Sequence, residues 1–99
     1  MNLAKTLKAL GSETRLKILK LLGCRRLSSA NIYKEYAKGF RDGMHRESIY
    51  RALEKLVDAE ILKKEYDETE KEIVYGLRHR RLIIDLINQK ICEKVSEDC

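Results

Sequence analysis

Between Arg46 and Leu77 the spacing of apolar residues changes from a helical period to a strand period. Ile49, Ala52, Leu53, Leu56 and Val57 fall at i, i+3, i+4, i+7 and i+8, one face of a helix over residues 45–59. Glu47, Tyr50, Arg51, Glu54, Lys55 and Asp58 fill the opposite face. Ile61–Tyr66 and Glu72–Leu77 are then short β-prone runs, with Asp67-Glu68-Thr69-Glu70-Lys71 between them as the connection. A lone two-stranded hairpin is marginal in water. The hairpin must therefore lean on helices supplied by the rest of a short chain.

Those helices are legible upstream. Leu3, Leu7 and Leu10 sit at i, i+4 and i+7, Gly11 ends that helix, and Ser12 is a good N-cap for the next. Leu16, Ile18, Leu19, Leu21 and Leu22 cover most of the second helix, which is expected to be the buried centre of the domain. Gly23 closes it. Ser28 or Ser29 caps a third helix reaching Lys38, with Ile32, Tyr33 and Tyr36 inward. Gly39-Phe40-Arg41-Asp42-Gly43 reads as a turn whose two glycines supply positive φ. After the hairpin, residues 79–95 are expected to return to helix, with Ile84, Ile87, Ile91 and Val95 on one stripe and Ile83 and Leu86 widening it.

The expected fold is thus mainly α with one small β-hairpin, a winged helix-turn-helix with helices at both termini. Residues 1–99 are expected to form a single domain, since there is no proline, repeat or Ser/Gly-rich linker. In this layout the second helix of the motif enters the major groove, whose width of about 12 Å admits an α-helix. That helix is 45–59, supported by the helix from Ser29.

Charge agrees with such a partner. Residues 1–46 hold eleven Lys or Arg and three acids, a net of +8, so the remainder carries −3 of the chain's +5. A basic half facing phosphate produces this asymmetry. The start lacks the apolar core of a signal peptide, and no run approaches the roughly 18 apolar residues of a membrane span. A soluble, cytoplasmic protein is expected. Cys24, Cys92 and Cys99 contain no C-x-x-C pair and, with His45 and His79, show no ligand spacing, so no metal or other cofactor is expected. Cys24 reads as a small core residue; Cys92 and Cys99 leave a disulfide between subunits open. There is no nucleophile elbow, Gly-rich phosphate loop or H-E-x-x-H, which argues against an enzyme.

Two stretches carry a family resemblance. Ala9-Leu10-Gly11-Ser12-Glu13-Thr14-Arg15-Leu16-Lys17-Ile18-Leu19 and Ile49-Tyr50-Arg51-Ala52-Leu53-Glu54-Lys55-Leu56-Val57-Asp58-Ala59-Glu60-Ile61-Leu62 resemble the second helix and the recognition helix of ArsR-like winged-helix repressors. Tyr50-Arg51-Ala52-Leu53 is also similar to PadR-like proteins. The resemblance implies a sequence-specific transcriptional regulator of double-stranded DNA, a repressor acting as a homodimer. Three departures stand out. The turn from Lys38 to His45 is longer than in ArsR proteins, residues 29–38 contain no Cys or His, and the final segment lacks the spaced Asp/His ligands of zinc-sensing members.

On this reading Arg46, Ser48, Tyr50, Arg51 and Lys55 line the recognition helix. Ser28, Ser29, Asn31 and Lys34 on the supporting helix, Arg41 in the turn and Lys71 on the wing reach phosphate. The acids Asp67, Glu68 and Glu70 predict a wing that adds little affinity. Leu3, Leu7, Leu10, Ile84, Ile87, Ile91 and Val95 are the expected dimer contacts. The competing reading is a winged helix that binds protein in a transcription or replication assembly, without base readout. The sequence names no effector.

Overall fold

The computed structural model describes residues 1–93. Four helices come first: α1 (Leu3–Leu10), α2 (Glu13–Leu22), α3 (Ser29–Phe40) and α4 (Arg46–Asp58). Two antiparallel hairpins follow, β1 (Leu62–Asp67) with β2 (Glu72–Leu77), and β3 (Leu82–Asp85) with β4 (Lys90–Glu93).

The helix starts follow their caps. Asn2, Ser12 and Ser28 each accept the N–H three residues on, at 2.9, 3.3 and 3.2 Å. The α1–α2 corner is closed by Arg15. Its Nε donates to the Ala9 carbonyl at 2.6 Å and its Nη2 to the Lys8 carbonyl at 3.2 Å, satisfying acceptors at the end of α1. That contact explains an arginine at this place in the helix-opening motif.

The core is where α2, α3 and α4 meet the first hairpin. Ile18, Leu22, Ile32, Tyr36, Ile49, Leu53, Leu56, Leu62 and Tyr75 are all buried. The inward face of α4 is the one its spacing predicts. Helix α2 differs from expectation: only Ile18 and Leu22 are buried, while Leu16 is 50% exposed. Leucines all round a helix of ten residues outnumber the neighbours a small domain has to cover them. Leu27 pairs with Tyr75 through both backbone bonds, N to O at 3.1 Å and 2.8 Å, adding a short third strand to the wing.

The turn between α3 and α4 also departs from the reading above. Helix α3 runs through Gly39 to Phe40, and Arg41 rather than a glycine takes the left-handed cap at φ 51°. Gly43 does adopt positive φ, at 76°. Asp42 organises the turn by accepting the buried Tyr36 hydroxyl at 2.6 Å, the Lys17 ammonium at 3.3 Å and the Met44 N–H at 3.2 Å. The Tyr36 hydroxyl above all, with Met44 and Lys17, holds the Asp42 carboxyl below its ordinary range.

Over residues 79–93 the expected helix is not formed. Leu82 pairs with Glu93, Ile83 with Cys92, Ile84 with Ile91 and Asp85 with Lys90. Asp85 accepts the N–H groups of Ile87 (3.1 Å) and Asn88 (3.1 Å) and the Asn88 amide (2.9 Å), and Gln89 takes φ 53°. These contacts close a turn in the middle of the apparent helical stripe. Ile83, Ile84 and Ile91 are β-branched and favour strand on either side of it. The fold is therefore helical at its start and β at the end of the described residues; Val95 and Cys99 lie outside them. Cys24 is another correction: it is exposed and disulfide-bonded, not a core residue, because Gly23 (φ 55°) turns the chain outward after α2. Cys92 is a free, exposed thiol.

Candidate nucleic-acid interface

Helix α4 buries one face and leaves the other open, and the cations chosen from the sequence lie on the open face. Arg46, Tyr50 and Arg51, together with Ser29 and Glu47, line one shallow depression beside the first turns of α4. Arg46 is exposed, with its guanidinium 5.3 Å from the Tyr33 ring centre, a cation–π contact from helix to helix. Arg51 is held loosely by Glu47 one turn back, at 3.4 Å, and both side chains are mostly exposed. Such a pair stabilises the helix by well under 1 kcal/mol and exchanges readily for a better acceptor. Tyr50 is 46% exposed, so its ring is presented rather than packed away.

A second groove runs along the other flank of α4. Ser48, Arg51 and Lys55 line it from α4, Ser12, Thr14 and Arg15 from the start of α2, and Met44 from the turn. It continues past Arg15 and Lys55 to Lys5, Lys8 and Asp58. Asp58 is paired with Lys5 at 2.8 Å, which leaves Lys8, Arg15 and Lys55 as the excess positive charge of this flank. Lys8 and Arg15 were not singled out as contacts above. Arg15 stands in the helix-opening motif, but only the fold turns the α1–α2 corner toward α4.

The remaining candidates scatter. Asn31 and Lys34 are exposed on α3, and Arg41 is exposed at its C-cap. Ser28 is 6% exposed and its hydroxyl is already engaged as a cap, so it offers little to an outside ligand. Lys71 stands on the wing turn at φ 55°, away from both depressions. Asp67 caps that turn by accepting the N–H groups of Thr69 at 2.9 Å and Glu70 at 3.2 Å.

The wing is also more neutral than its lysines suggest. Lys64 meets Glu54 of α4 at 3.0 Å, and Glu65 meets Arg26 at 2.9 Å. The same Glu54 accepts the Tyr75 hydroxyl at 2.7 Å. Burial pushes the Glu54 carboxyl up, but the hydrogen bonds from Tyr75 and Lys64 outweigh it and hold it below its ordinary range.

Of the expected dimer contacts, Leu7 is 46% and Ile87 94% exposed, while Leu3, Leu10, Ile84 and Ile91 are half-buried. Among the described residues no three His, Cys, Asp or Glu side chains stand together as a metal site.

No family model and no curated protein matches the chain. Solved structures do. The ferric uptake regulator of Vibrio cholerae is 23% identical with a TM-score of 0.61, over 98% of this chain and 79% of that one. That of Pseudomonas aeruginosa, described with manganese, is 18% identical with a TM-score of 0.60, over 96% and 75%. That of Helicobacter pylori is 21% identical with a TM-score of 0.58, over 96% and 72%. These likenesses lend no support to the ArsR or PadR assignment. At such identities they establish a fold, and it is the one the element order gives: the chain is a winged helix-turn-helix protein.

Proposed function

We propose that this chain is a transcriptional regulator that binds double-stranded DNA in sequence-specific fashion, as a homodimer. The carrying observation is the open face of α4, where Arg46, Tyr50, Arg51 and Lys55 are all exposed and flanked by Lys8 and Arg15. A helix with this surface suits the major groove, its arginines able to bind guanine O6 and N7 and the flanking cations able to meet phosphate. The structures of similar fold belong to regulators, and the description of the Vibrio cholerae protein speaks of its DNA-binding domains. Repression is the mode implied by the resemblance to ArsR-like repressors. The metals in those descriptions are properties of those regulators, and the effector of this chain is left open. No helix of the described residues is long and apolar enough to cross a membrane, and a cytoplasmic regulator is the reading that goes with DNA.

The dimer is proposed on exposed apolar surface. Leu86 is 76% and Ile87 94% exposed at the tip of the β3–β4 hairpin, and a two-stranded sheet is marginal without a partner. For such a dimer to read one duplex, its two recognition helices must lie about 34 Å apart, one turn of DNA. Selection of duplexes from a random pool tests both parts. It should enrich a site with two-fold related halves about 10 bp apart. Enrichment of a single half-site would remove the dimer, and no enrichment would remove base readout. The acidic wing tip favours a protein-binding winged helix as the second reading, and failure of the selection would move the weight to it.

A further inference from the structure

Glu54 sits on the recognition helix one turn beyond Tyr50, on the side that faces the wing. An acid there is unfavourable for a helix meant to approach phosphate, so its presence calls for a reason. The structure supplies a set of contacts. The Tyr75 hydroxyl reaches Glu54 Oε2 at 2.7 Å, and the Lys64 ammonium reaches both carboxylate oxygens, at 3.2 and 3.0 Å. Tyr75 is 2% exposed and lies in β2, directly across from Lys64 in β1. Its ring also takes Lys64 at 5.9 Å from the centre. One carboxylate on α4 thus ties down both strands of the wing at the same rung. Burial first, then the hydrogen bond to Glu54, pushes the Tyr75 phenol up.

We infer that Glu54 is a positioning residue for the DNA contact: through Tyr75 it fixes the wing relative to α4, and through Lys64 it keeps a wing cation away from phosphate. The inference rests on the DNA-binding reading above and adds a division of labour to it. Discrimination between sequences is set on the α4 side, while the wing is held as a fixed flank whose Lys64 is neutralised. Without Glu54 the wing would offer a free lysine to any phosphate, which raises affinity for all duplexes alike and lowers selectivity.

The two halves separate by mutation. Glu54→Gln keeps an acceptor for Tyr75 but releases Lys64. Its binding to a random duplex should steepen by about one in the slope of log K against log salt, and Glu54→Gln combined with Lys64→Met should return to the wild-type slope. Tyr75→Phe keeps the Glu54–Lys64 pair but loses the tie between helix and wing. Its salt slope should stay at the wild-type value, while the ratio of affinities for a selected and a random duplex falls about tenfold. A residue that merely stabilises the fold would shift the melting temperature and leave slope and ratio untouched. Wild-type slope and ratio in Glu54→Gln and Tyr75→Phe, both folded by circular dichroism, would overturn the inference and leave DNA binding standing. A wild-type protein that binds no duplex would instead overturn the DNA reading, and this inference with it.

Discussion

Leu53→Ala should lower the free energy of unfolding by about 2–5 kcal/mol, the range for truncating a fully buried leucine. Leu53 has no exposed surface and sits mid-helix on the face of α4 that packs into the core. Alanine is the better helix former, so the loss reports packing and not propensity. A domain of this size is stable by only about 5–15 kcal/mol, so the melting temperature should fall by about 10 °C or more. Leu16→Ala, at a site 50% exposed, should shift it far less. Equal effects of the two substitutions in thermal melts would contradict the division between buried and open faces drawn here.

Arg51→Ala and Lys34→Ala should weaken DNA binding in different ways. Arg51 lines both depressions flanking α4, where the proposed function has it read base edges, and Lys34 is exposed on α3. Loss of a bidentate base contact costs about 1–3 kcal/mol and relaxes preference at one base pair. Loss of a phosphate contact weakens every duplex alike and lowers the salt slope by about one. Binding of both variants to a selected and a random duplex at several salt concentrations separates these outcomes. Equal weakening of the two duplexes by Arg51→Ala would remove its base-reading role.

The parts of the fold that local rules determine were legible in the sequence. Ser12 and Ser28 cap helices as their residue type demands, and the inward stripe of α4 follows from its period. The first hairpin was found within one residue because Asp67 to Lys71 break the pattern on both sides. Residues 79–95 misled because Ile84, Ile87, Ile91 and Val95 satisfy a helical spacing by coincidence. The deciding signal was Asp85-Leu86-Ile87-Asn88, where a short polar side chain captures the backbone and reverses the chain. Such turn chemistry between β-branched isoleucines overrides a helical spacing.

The candidate interface was legible in kind more than in extent. Arg46, Tyr50, Arg51 and Lys55 follow from the polar face of one helix. Lys8 and Arg15 do not, since their place beside α4 depends on how the α1–α2 corner folds back. The role of Glu54 was equally hidden, because Tyr75 and Lys64 reach it only through the register of the wing.

The salt dependence of wild-type binding to a random duplex decides whether the cations of α3 and of the flanks of α4 meet DNA phosphate. With Lys8, Arg15 and Lys55 beside α4 and Lys34 on α3 each neutralising a phosphate, the slope of log K against log salt should be about −3 to −4 per protomer, at about −0.9 per contact. A slope near zero, or no binding at low salt, would contradict the account.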